Sequence, residues 1–230
     1  MKIILEKFKE RVIEVNLYFD FLSSVLSTDI HLHSKSTGIG QPVDLEVQKI
    51  LKANFFLILY NLIEAIIRES IQEIYDSMAR DKLSYKLTRP EIQKIMISNK
   101  CKQIRESSST NFVIAIEKLL ADAIDDAIVK LEADSIPISG SLDAQKIREI
   151  VKIFGFSETT KKAKRGGADL LIVKTQRNSL AHGVSTFSDC GRNYNINELK
   201  RIKDDVIFFL EDILKNINAY IDAKEYCIKK

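Results

Sequence analysis

Apolar residues recur at steps of three and four from residue 2 to residue 27: Ile4, Phe8, Val12, Val15, Phe19, Leu22 and Leu26. That spacing follows one face of a helix of 3.6 residues per turn and predicts an amphipathic helix. Residues 28 to 42 then turn polar around Gly38, Gly40 and Pro42 and read as a loop or arm. Residues 43 to 80 form the longest helical run. From Phe55 to Leu62 it is almost entirely apolar, which places it at the centre of a core. Asn54, Asn61, Glu64 and Arg68 nevertheless fall on one narrow stripe of this run. Buried polar groups need partners. Glu64 and Arg68 are spaced to pair with each other, or the stripe faces a functional group on another element.

Further on, Thr88 and Glu91 have the spacing of a capping box, with Pro90 in the first turn of a helix reaching about Arg105. The stretch 106 to 110 breaks it. A helix over 111 to 132 carries Asp122, Asp125 and Asp126, which read as a solvated face. Residues 135 to 141 form a linker. A short helix then turns Ile147, Ile150, Val151 and Phe154 inward and stops at Gly155. After a basic stretch at 159 to 167, an apolar start, ADLLIVK, opens another helix that ends near Gly183. The last run, 196 to 225, keeps the three-four rhythm from Leu199 to Ile221, with Asn195 and Glu198 spaced to cap its start. No strand is needed, although Val184 to Phe187 could be locally extended. The pattern predicts an all-α fold, an antiparallel helical bundle, in a single domain over residues 1 to 230.

Composition changes this picture little. The chain has 45% hydrophobic and 29% charged residues, three Pro, eight Gly and no Trp. Few breakers favour long helices. A formal net charge of +3 is too small to argue nucleic-acid binding by itself, so any such surface is local. Lys161, Lys162, Lys164 and Arg165 are the best local candidates, either gripping phosphates or serving as a soluble hinge. Cys101, Cys190 and Cys227 are far apart, and no C-x-x-C occurs, which fits reduced thiols in a cytoplasmic protein. His31 and His33 form an H-x-H pair with no acidic or Cys ligand near them in sequence, and solvated histidines are the simpler reading. No stretch approaches the ~20 uncharged apolar residues of a membrane span. No Walker or dinucleotide loop occurs, so neither a cofactor nor a metal is expected.

The stretch with the most chemistry is Arg177-Asn178-Ser179-Leu180-Ala181-His182-Gly183. Arg177 is a permanent cation whose fork suits phosphate oxygens. Imidazoles such as that of His182 transfer protons near neutral pH. Asn178 lies one helical turn before His182, on the same face, where it could hold the His tautomer or a phosphate. RNA carries its own nucleophile, the ribose 2′-OH. One group that moves protons and one that stabilises phosphorane-like charge can therefore cleave it.

This stretch resembles the R-x(4–6)-H motif of the HEPN superfamily, mostly all-helical proteins that are often metal-independent ribonucleases. The segments NFFLILYNLIEAIIRESIQEIY (54–75), SLDAQKIREIVKIFGF (141–156) and LIVKTQRNSLAHGVSTF (171–187) look like the bacterial MAE-type branch, over roughly residues 45 to 225. The resemblance implies a four-helix core with additional helices. It implies Arg177, His182 and Asn178 as catalytic residues and favours a supporting role for Glu64 and Asn54. It also implies RNA as substrate, cyclic-phosphate products and a homodimer in which two motifs face one cleft. A toxin–antitoxin or antiphage setting, with a cognate antitoxin or defence-system partner, goes with it. Some HEPN toxins carry a Tyr two residues after the His, which a partner enzyme modifies; here that residue is Val184. Two other readings stand beside ribonuclease: a non-catalytic module that binds RNA or protein, and a purely structural Arg177 and His182, with the histidine at a helix end interacting with the dipole.

Overall fold

The computed structural model describes residues 2–27, 31–33, 38, 40–105, 112–114, 116, 117, 121 and 142–228. The Asp122, Asp125 and Asp126 cluster and most of the helix expected over 111 to 132 lie outside the described residues. The elements are α1 (Lys2–Val25), β1 (His31–His33), β2 (Gly40–Pro42), α2 (Leu45–Arg80), a 3-10 turn (Tyr85–Leu87), α3 (Pro90–Arg105), α4 (Ala144–Phe154), α5 (Ala168–Ala181), α6 (Phe187–Arg192) and α7 (Ile196–Asp222). Among the described residues the fold is all-α apart from one short hairpin.

The core is built round α2, which packs against α1, α5, α6 and α7. Phe55, Phe56, Leu59, Ile63 and Ile66 on α2 are completely buried. The periodic residues of α7 from Leu199 to Tyr220 meet them, as do Ile4, Phe8, Val15, Phe19 and Leu22 of α1. A row of aromatic rings, Tyr75, Phe154, Phe156, Tyr220 and Tyr226, ties α2, α4, α7 and the C-terminal turn together, with neighbouring centroids 5.7–6.4 Å apart. The small α6 can lie against α2 because Gly191 has no side chain. A Cβ there would stand 1.9 Å from the Lys49 carbonyl oxygen.

The capping signals act where the sequence places two of them. Asn195 and Glu198 form a reciprocal capping box on α7. Gly155 ends α4 in the left-handed region at φ 79°.

Two expectations need correction. The segment 28 to 42 is not merely a loop: β1 and β2 pair antiparallel, His31 opposite Pro42 and His33 opposite Gly40. Its glycines and proline disguise the short strands. Within Val184 to Phe187, Thr186 is locally extended and caps α6, whose first residue is Phe187. Thr88 does not cap α3: the helix begins at Pro90, one residue beyond the position Thr88 would cap, and the Thr88 hydroxyl donates to the Tyr85 carbonyl at 2.7 Å.

The expected absence of a span-like stretch is also too strong. By length and composition alone α2 could cross a bilayer, with a mean hydropathy of 1.7 over its best window. Half of that window is buried inside the protein, where a core helix needs the same apolar content that a membrane helix does.

Candidate functional site

Helix α5 carries the motif. It begins at Gly167, at φ 79°, where a Cβ would stand 2.5 Å from the Phe209 ring. Only glycine lets the chain turn this close to α7. Asp169, fully buried in the first turn, faces Arg165 at 3.1 Å and Arg201 at 3.4 Å. Its backbone N–H donates to the buried Asp205 carboxylate at 3.3 Å. Burial, with Asp169 beside it, pushes the Asp205 carboxyl above the usual carboxylate range. On the other flank Lys174 pairs with Asp143, the N-cap residue of α4.

The C-terminal end of α5 is a Schellman closure. The Gly183 N–H donates to Leu180 O at 3.3 Å, and the Val184 N–H donates to Ser179 O at 2.9 Å. Gly183 takes φ 66°, as that closure requires. His182 is the C-cap residue, and its own N–H donates to Asn178 O at 3.0 Å. The imidazole is thereby presented at the surface of the protein, exposed to solvent.

Arg177 takes the opposite course, half-buried against α2. Its guanidinium carbon lies 4.7 Å from the centroid of the Tyr60 ring, and Nη1 donates to Asn178 Oδ1 at 3.0 Å. The Asn178 amide thus fixes the guanidinium, while its link to His182 is main-chain. Burial pushes the Tyr60 phenol up. Its hydroxyl accepts the Leu142 N–H at 3.3 Å.

Arg177 opens into a cleft of about 490 Å³ between α1, α2 and α5, which Arg11, Tyr60, Asn61, Glu64, Arg68 and Glu69 also line. Glu64 pairs with Arg68 at 3.6 Å. Asn61, Glu64 and Arg68 of the α2 polar stripe thus line the cleft into which Arg177 opens, with Glu64 and Arg68 paired locally. Asn54 and His182 are outside the lining of this cleft.

The basic loop lies elsewhere. It precedes α5, and the motif ends it, so about 15 Å of helix axis separates the loop's last residue from Arg177 at 1.5 Å per residue. Proximity in sequence is not proximity in space here. Lys162 pairs with Glu211, and its backbone N–H donates to Asp212 at 2.6 Å. Arg165 pairs with Asp169. Lys161 and Lys164 are exposed. The loop is stapled to α7 rather than hinged on it.

Sequence reasoning missed Tyr60, Arg11 and Glu69. Tyr60 reads as core within an apolar run, and Arg11 and Glu69 are 58 residues apart, with no local signal joining them. Among the described residues, no cluster of three or more His, Cys, Asp or Glu side chains is arranged to hold a metal ion. Cys101, Cys190 and Cys227 are free thiols.

The family model described as HEPN_MAE_28990:/-like HEPN matches residues 1–226. The chain belongs to this HEPN family. HEPN domains are often ribonucleases, and the family's all-α fold is the one α2, α5 and α7 build here. No curated protein and no solved structure matches the chain.

Proposed function

We propose that this HEPN protein is a metal-independent endoribonuclease that cleaves RNA through the ribose 2′-OH. The supporting observation is the pinning of Arg177 between the Tyr60 ring and Asn178, facing a cleft, with the exposed His182 closing the same helix. A guanidinium held in one orientation serves developing phosphorane charge without reorganising during the reaction. An exposed imidazole can approach the 2′-OH or the leaving 5′ oxygen and move its proton. Glu64 shares the cleft as a supporting group.

One motif histidine per chain is half of a usual acid–base pair, and here it lies outside the cleft of its own chain. That placement favours a homodimer in which each subunit's His182 completes the other's site. Sedimentation equilibrium at micromolar concentration then gives about twice the 26.2 kDa chain mass; an active strict monomer overturns the dimer. The setting that fits such an enzyme is a bacterial toxin–antitoxin or antiphage system in the cytoplasm, with no membrane attachment and with a cognate partner protein that restrains it.

The same separation of His182 from the cleft favours a second reading, a non-catalytic module that holds RNA or a protein. Incubating the purified protein with total RNA, with and without EDTA, separates the two. The ribonuclease degrades RNA equally in both and leaves 2′,3′-cyclic phosphate ends; the binding module leaves RNA intact.

A further inference from the structure

Arg11, on α1, enters the candidate site from an element outside the motif. Its Nη1 reaches Asn61 Oδ1 at 3.4 Å and its Nη2 reaches Glu69 Oε1 at 3.3 Å. Both contacts are long, whereas a guanidinium used structurally here, that of Arg148, donates to the Gly166 carbonyl at 2.6 Å. A guanidinium has five N–H donors, so two long contacts leave most of them for a ligand. The side chain is one-third exposed. A second depression, of about 330 Å³, shares Arg11, Leu57 and Asn61 with the first and continues over Glu14, Val15, Ile58 and Leu62. Arg11 therefore stands where two hollows join, with Arg177 in one and, in the other, an apolar floor edged by Glu14.

We propose that these joined hollows form the groove for a single RNA strand, and that Arg11 binds a backbone phosphate beside the one Arg177 serves. The inference rests on the ribonuclease reading for its substrate. An arginine is suited to a phosphate diester because it donates to two oxygens at once. Beyond it the half-buried Leu57 and Ile58 side chains offer apolar contact to a ribose or base face beside a cation that tracks the backbone. Glu69 has a defined part in this. It holds Arg11 at 3.3 Å and Lys7 at 3.4 Å, orienting the cations while opposing an anionic ligand.

The test measures binding of a labelled single-stranded RNA oligonucleotide to the cleavage-deficient His182→Ala protein across a salt series, and cleavage kinetics in the His182 background. Arg11→Ala raises Kd roughly tenfold and flattens the salt dependence by about 0.7, the value for one phosphate contact on a single strand. In the active enzyme it raises KM and leaves kcat within about threefold, the pattern of lost binding shared by ground and transition states. Glu69→Gln moves the other way and tightens RNA binding, a gain that neither misfolding nor a purely structural Arg11–Glu69 pair produces. Unchanged Kd and salt slope in Arg11→Ala, in a protein that does bind and cut RNA, overturns the groove while leaving the ribonuclease reading in place. A protein that neither binds nor cuts RNA overturns both.

Discussion

The guanidinium of Arg177 sits over the ring of Tyr60, 4.7 Å from its centroid. This contact crosses from α5 to α2 and turns the motif arginine into the cleft. Desolvated cation–π contacts are worth about 0.5–2 kcal/mol, enough to decide where a long side chain rests. Tyr60→Phe keeps the ring and loses the hydroxyl that accepts from Leu142; kcat then stays within about threefold. Tyr60→Leu removes the ring, and kcat falls by roughly three- to thirtyfold if that energy is lost from the transition state. Single-turnover cleavage of a labelled RNA by the two variants checks this. Equal activity in both means that the ring does not position Arg177.

The basic loop divides into two pairs of cations with different work. Lys162 and Arg165 face Glu211 and Asp169, so their replacement by Ser lowers the thermal midpoint. Arg165 matters more, because Asp169 is fully buried and keeps only the longer Arg201 contact when it goes. Replacing the exposed Lys161 and Lys164 by Ser leaves the midpoint unchanged. If this surface contacts RNA, that double change flattens the salt slope of binding by roughly 0.7 per lost contact. Melting and RNA titration of the two double variants tell the roles apart, and identical behaviour contradicts the division.

Asp143 joins the cap of α4 to α5 through Lys174. Burial acts to raise its carboxyl, but hydrogen bonds from the Lys174 ammonium and the Lys146 amide outweigh that and hold it below the ordinary aspartate range. An acid depressed on folding contributes its full stability above the unfolded value, about 3.9, and loses it as pH falls through the lower folded value. Asp143→Asn keeps a capping oxygen and loses the charge. It therefore costs about 1–3 kcal/mol at pH 7, and the gap from wild type narrows below pH 4. Urea unfolding at pH 7 and pH 3 measures both gaps; a gap that stays constant contradicts the account.

The long amphipathic elements were legible in the sequence because their signal is local and repeated. The buried faces of α1, α2, α4 and α7 follow the three-four spacing almost residue by residue, and Asn195 and Gly155 cap as their chemistry requires. The hairpin of β1 and β2 was hidden because three-residue strands are too short for a period of two to register. Thr88 misled because the helix begins at Pro90, one residue later than the capping-box spacing places it. Arg177, Asn178 and His182 were visible as a spacing. Their division of labour was not, because it depends on the Schellman turn at Gly183 and on Tyr60, more than a hundred residues away. Arg11 and Glu69 were beyond reach for the same reason: a cleft between helices has no sequence period.

The most direct test of the central claim is cleavage by His182→Ala, measured beside its melting curve. His182 is exposed at a helix end, so its loss changes stability by only about half a kcal/mol. Removal of a positioned acid–base group costs about 10²–10⁴ in rate. The account predicts a normal melting midpoint and RNA cleavage reduced by at least a hundredfold. Normal melting with cleavage at the wild-type rate contradicts it.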